Sequence, residues 1–198
     1  MRAKITSSLL LCGLLLFAVM TKSPAQGQQG GGSESEIQRG FEIAPVPLNL
    51  AGKNRSLVGL GSYLVNGPGD CTGCHTVGLF LTGGSPFLGQ PTAINVAAYM
   101  AGGATFGPVV ISRNLTPDAT GRPAGLTLSE FKTVLRTGAD FKALPPHVPS
   151  NPGLLQVMPW PAIRHSTDRF IEAIYEYLSA IPCRPGGPAP GSATRCGP

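Results

Sequence analysis

Charge is scarce in this sequence: only 13% of its 198 residues are Asp, Glu, Lys or Arg. Long apolar runs are scarcer still. Leu9 to Met20 is one such run, set behind the basic residues Arg2 and Lys4, and it falls short of the ~20 residues that cross a bilayer. No other stretch is long and apolar enough to span, so membrane contact is expected only through a partner. Strong net charge is missing as well. Taking away residues 1–25 removes Arg2, Lys4 and Lys22 from the 15 basic residues and nothing from the 10 acidic ones, leaving a formal +2. Such a balance excludes an electrostatic grip on nucleic acid. Internal repeats are absent, and the stretch from about Phe41 to Pro182 has the length of one domain with one core.

What is present begins with a targeting pattern. The basic start, the apolar run and the small residues Ser23-Pro24-Ala25 predict a signal peptide over residues 1–25, cleaved near Ala25, and a periplasmic protein. The Gly/Gln/Ser/Glu-rich stretch that follows predicts a disordered leader over residues 26–40. Cysteine use fits export. Cys12 leaves with the signal segment, and Cys183 and Cys196 form a leftover pair, most simply a disulfide in an oxidising compartment. It would pin a Pro/Gly-rich tail over residues 183–198 that has too little apolar content to fold alone.

The remaining cysteines stand in Cys71-Thr72-Gly73-Cys74-His75. Two thiols at this spacing can each form a thioether to a porphyrin vinyl group, and the histidine that follows is placed to bind the iron. Structural zinc would need four ligands, usually two close pairs, yet Cys183 and Cys196 lie 13 positions apart and neither His147 nor His165 has a partner at ligand spacing. A thiol-exchange CxxC should follow an apolar strand, whereas Asn66-Gly67-Pro68-Gly69-Asp70 is a turn. One such motif predicts one covalently held haem c.

Three helices are legible. One is expected from about Lys53 to Val65, with Leu57, Leu60 and Leu64 at helical spacing; Gly59 and Gly61 within it suggest close helix contact. Thr127 and Glu130 form a capping box ahead of Leu128, Phe131, Val134 and Leu135, and Gly138 ends that helix. A third follows Thr167, with Phe170, Ile171, Ile174, Tyr175, Leu178 and Ile181 on one stripe, and stops at Pro182. Ala93 to Met100 and Val109 to Ser112 are expected as a short hairpin.

This order of helix, CxxCH, loops, helix, methionine-bearing loop and C-terminal helix resembles the class I, mitochondrial-type cytochrome c family. Asn114-Leu-Thr-Pro-Asp118, Phe131 to Gly138, Val157-Met-Pro-Trp-Pro161 and Ala173 to Pro182 are similar to bacterial monohaem members and to the haem modules of dehydrogenase cytochrome subunits. The resemblance implies a mainly α fold of three to four helices wrapped with long loops around the haem over residues 41–182. It implies Met158 as sixth iron ligand, opposite His75. Elimination points the same way, since Met100 is the only other thioether outside the signal segment, and His147 in its proline-rich loop is the alternative ligand. Arg113 and Trp160 are candidates to meet the haem propionates. Two protein ligands leave no open iron position, so the expected role is single-electron transfer between redox partner proteins, as a monomer or as a subunit of a complex, and not catalysis. The alternatives are a haem enzyme or catalytic-complex subunit, peroxidase-like or serving thiosulfate or alcohol oxidation, and a sensor in which a ligand displaces Met158.

Overall fold

The computed structural model describes residues 34–107, 110–140, 153–186 and Cys196. The signal peptide expected over 1–25 and His147 lie outside the described residues. The described chain is mainly helical: α1 (Glu34–Ile43), α2 (Arg55–Asn66), α3 (Cys71–His75), α4 (Leu128–Thr137), α5 (Trp160–Ile163) and α6 (Asp168–Ala180), with one two-stranded sheet, β1 (Thr105–Phe106) and β2 (Val110–Ile111).

Helices α2, α4 and α6 each start where a side-chain oxygen meets an orphan backbone N–H. Asn54 accepts from the Leu57 amide, Thr127 from that of Glu130, and Thr167 from that of Phe170. The Thr127 capping box is complete, because the Glu130 carboxylate accepts in return from the Thr127 amide at 2.8 Å. Gly138 closes α4 at a φ of 73°, a left-handed conformation that suits glycine.

Helix α2 is the middle layer. A Cβ on Gly61 would stand 1.9 Å from the Ala173 carbonyl oxygen of α6, and one on Gly40 of α1 would stand 1.8 Å from the carbonyl oxygen of Gly59. Only glycine permits backbones this near. The close helix contact expected at these glycines exists, and each meets a different helix: Gly61 meets Ala173 and Tyr177 of α6, while Gly59 faces Ile37 and Phe41 of α1. Tyr175 turns away to α4, stacking edge-on against Phe131 at 5.4 Å and donating to the Leu126 carbonyl at 3.0 Å. Because α6 packs on both α2 and α4, Ala173, Tyr177 and Ala180 are buried beside Ile171 and Leu178, a wider face than one stripe.

Two expectations change. The leader expected over 26–40 gives way at Glu34 to α1, whose Ile37 is buried against Leu60 and Ala173. Ile37, Gly40 and Phe41 carry that contact, too short a pattern to stand out among Ser, Glu and Gln. The hairpin expected between Ala93–Met100 and Val109–Ser112 shrinks to β1 and β2, paired antiparallel, with Ala93–Met100 in turns apart from one bridge of Ile94 to Phe80. Gly102 and Gly103, both at positive φ, interrupt any longer ladder. No helix among the described residues is long and apolar enough to cross a membrane.

Candidate functional site

The motif Cys71-Thr-Gly-Cys-His75 forms the short helix α3, led in by the turn after α2. Gly67 donates to the Tyr63 carbonyl and Gly69 to that of Leu64, both at 2.9 Å, and Asp70 takes a left-handed φ of 40° to start the helix. Thr72 is buried, while Cys71, Cys74 and His75 are half-buried. The two thiols are free of any disulfide.

His75 is held at both ends. Its backbone carbonyl accepts from the Gly102 amide at 2.8 Å, and its ring Nδ1 lies 2.7 Å from the Arg113 carbonyl oxygen. A carbonyl can only accept, so Nδ1 carries the proton and Nε2 keeps its lone pair, the form in which histidine binds a metal. Burial lowers the His75 pKa, opposed by the Arg113 hydrogen bond, so the ring stays neutral. Gly102 is pressed against the same peptide: a Cβ there would stand 2.5 Å from the Arg113 carbonyl carbon.

Cys71 is set against anionic thiol chemistry. Burial, the neighbouring Asp70 and the Cys74 thiol push the Cys71 pKa up to about 11, although a hydrogen bond to its own backbone works the other way. Thiol exchange requires a depressed value. Among the described residues no group of three or more His, Cys, Asp and Glu side chains converges to hold a metal ion. A neutral thioether suits this environment.

The two methionines differ. Met100 is fully buried at a φ of 58°, its amide on the Thr76 hydroxyl and its carbonyl accepting from Leu115. Protein atoms enclose it, as in core filling. Met158 is half-buried at the rim of the same apolar cluster, which Cys71 also borders. Val77, Leu81 and Val96, after the motif, and Val157, beside Met158, are exposed apolar side chains. The residues present thus fit a covalent haem: two free thiols, one histidine with a free Nε2, a rim thioether and exposed apolar side chains nearby in sequence.

Trp160 fixes the Met158 segment. Its amide donates to the Met158 carbonyl at 2.8 Å and its ring lies against Gly138, where a Cβ would stand 2.3 Å from the indole. The indole N–H expected at a propionate donates instead to the Leu155 carbonyl at 3.1 Å. The Arg113 guanidinium, expected at the other propionate, pairs with Asp140 at 2.5 Å. Sequence reasoning chose Arg113 for its side chain and missed its carbonyl. A backbone acceptor leaves no signature in residue type, although the Gly102-Gly103 pair signals a close backbone approach nearby.

No protein-family model matches the chain, and no solved structure matches it. The gluconate 2-dehydrogenase cytochrome c subunit of Pantoea cypripedii is 29% identical to it over 126 residues, 63% of this chain and 23% of that subunit. The chain thus matches less than a quarter of that relative's length. The likeness supports a cytochrome c-like protein and electron transfer in general.

Proposed function

We propose that this chain is a periplasmic electron carrier, or the electron-accepting subunit of a dehydrogenase complex, with one haem c on Cys71 and Cys74. The observation that carries the reading is the His75 ring, whose Nδ1 is committed to the Arg113 carbonyl, which leaves the Nε2 lone pair available for a metal. Haem supplies single-electron exchange at its edge. His75 and Met158 would be the two residues that hold its iron. Met158 is favoured over Met100 because its sulfur sits at the cluster rim and not inside the core. Arg113 has five N–H donors, enough for Asp140 and a propionate together. Trp160 holds the Met158 loop in place. Likeness to a dehydrogenase cytochrome subunit favours a dehydrogenase as electron donor.

Expression with haem should give a c-type reduced spectrum at one haem per chain, lost in Cys71→Ala, Cys74→Ala and His75→Ala. The oxidised protein should show the weak near-infrared sulfur-to-iron band. Met158→Ala should abolish it, open the iron to carbon monoxide and lower the potential, and His147→Ala should leave it unchanged. A band that survives in Met158→Ala transfers the role to Met100. Ready carbon monoxide binding by the unaltered protein would point to an enzyme.

A further inference from the structure

The Arg113 carbonyl that orients His75 belongs to the peptide joining Arg113 to Asn114, and Asn114 is buried in a closed ring of hydrogen bonds. The Arg184 amide donates to Thr116 Oγ1 at 3.1 Å. Thr116 Oγ1 donates to Asn114 Oδ1 at 2.7 Å, and Asn114 Nδ2 donates back to the Arg184 carbonyl at 3.0 Å. The Thr116 amide adds a bond to Asn114 Oδ1 at 2.9 Å, and Thr116 itself is wholly buried. Arg184 follows Cys183, which is bonded to Cys196, so the ring is closed by the first residue of the disulfide loop. Hydrogen bonds in such a chain polarise one another, and losing one member leaves buried groups unpaired.

On the proposed reading of His75 as an iron ligand, we infer that Asn114 and Thr116, clamped by Arg184 at the root of the C-terminal disulfide loop, are positioning residues that aim the Arg113 carbonyl at the His75 ring and so set the potential of the iron. One side of the Arg113–Asn114 peptide is fixed by Gly102 and His75, and the other by the C-terminal segment, more than 100 residues on from His75. The direction of the effect follows from the hydrogen bond. An acceptor on Nδ1–H makes Nε2 a stronger donor, which favours ferric iron. Loosening the brace weakens that bond and raises the potential.

Thr116→Val removes the hydroxyl at constant shape, Thr116→Ser keeps it, and Cys183→Ser/Cys196→Ser frees the loop without touching the ring. Haem content per chain is measured first, and the inference is tested on haem-loaded protein. Loss of haem from the unaltered protein would defeat the reading of His75, a result separate from the brace. With haem loaded, Thr116→Val should raise the midpoint potential and speed exchange of the His75 Nδ1 proton seen by NMR. Thr116→Ser should restore both, and the double serine variant should shift both the same way by less. An unchanged potential and exchange rate in Thr116→Val and in the double variant, with only stability reduced, would overturn the inference, as would equal shifts in Thr116→Val and Thr116→Ser. If Thr116→Val does not accumulate, the double variant alone decides: a raised potential supports the brace and an unchanged one overturns it.

Discussion

The phenol oxygens of Tyr99 and Tyr177 lie 2.7 Å apart in the buried centre of the molecule, and the Asn66 side chain bonds to both. Asn66 also donates to Ser62 Oγ, which in turn donates to the Gly40 carbonyl at 2.6 Å. A single polar thread thus joins α1, α2, α6 and the loop after the CxxCH motif.

Removing one phenol should be felt at neutral and at alkaline pH. Tyr177→Phe keeps the ring and deletes the hydroxyl, so haem-loaded protein should lose about 1–2 kcal/mol in urea unfolding at pH 7. Burial raises both tyrosine pKa values, while an unfolded tyrosine ionises near ~10. Stability contributed by the neutral phenols is complete below that pH and is lost as pH rises above it. Urea midpoints measured from pH 8 to 11 should fall steeply in the unaltered protein and less steeply in Tyr177→Phe. Parallel curves would mean that the phenols titrate alike in both states.

Two glycine-to-alanine changes should separate crowding from backbone strain. In Gly61→Ala the new Cβ meets backbone of α6 at 1.9 Å, so the helices must part, at a cost of about 3 kcal/mol or loss of folding. Gly52 has a φ of +68° and open space around it, so Gly52→Ala should cost only about 1–2 kcal/mol. Similar losses by thermal unfolding would mean that α2 and α6 can slide apart without penalty.

Acid should loosen the link between α4 and α6. Asp168 accepts from Arg136 at 2.7 Å and from Lys132 at 3.4 Å, and these bonds hold its carboxyl below the usual carboxylate range. A lowered folded pKa contributes stability above the unfolded value, about 3.9, that is lost as pH falls through the folded one. Asp168→Asn should therefore flatten the acid limb of melting temperature against pH, with the variant below the parent at pH 6 and level with it near pH 2. A constant gap across that range would assign Asp168 a role independent of charge.

Much of this molecule was legible in residue order. The Thr127 capping box, the Thr167 cap and the stop at Gly138 act over three or four residues, so sequence alone carries them. The disulfide followed from counting cysteines once export was inferred, and it joins Cys183 to Cys196. Gly59 and Gly61 signalled close contact but not which helix each would meet, because that depends on α1, a helix with little apolar pattern of its own. The His75 acceptor was hidden for a different reason. It is a main-chain atom, 38 residues away, supplied by a residue noticed for its guanidinium. Trp160 was noticed for its N–H, which turns inward to a carbonyl five residues back.

The layering of α2 between α1 and α6 also sets an order in time. Gly61 has its counterpart at Ala173, so the central contact joins segments more than 100 residues apart. Distant contacts of this kind form late, after the entropy of closing a long loop has been overcome. A chain emerging from its N-terminus presents Cys71, Cys74 and His75 well before α6 exists to complete the core. On the proposed reading, the thiols would meet haem on an open chain, and the last helix would pack afterwards.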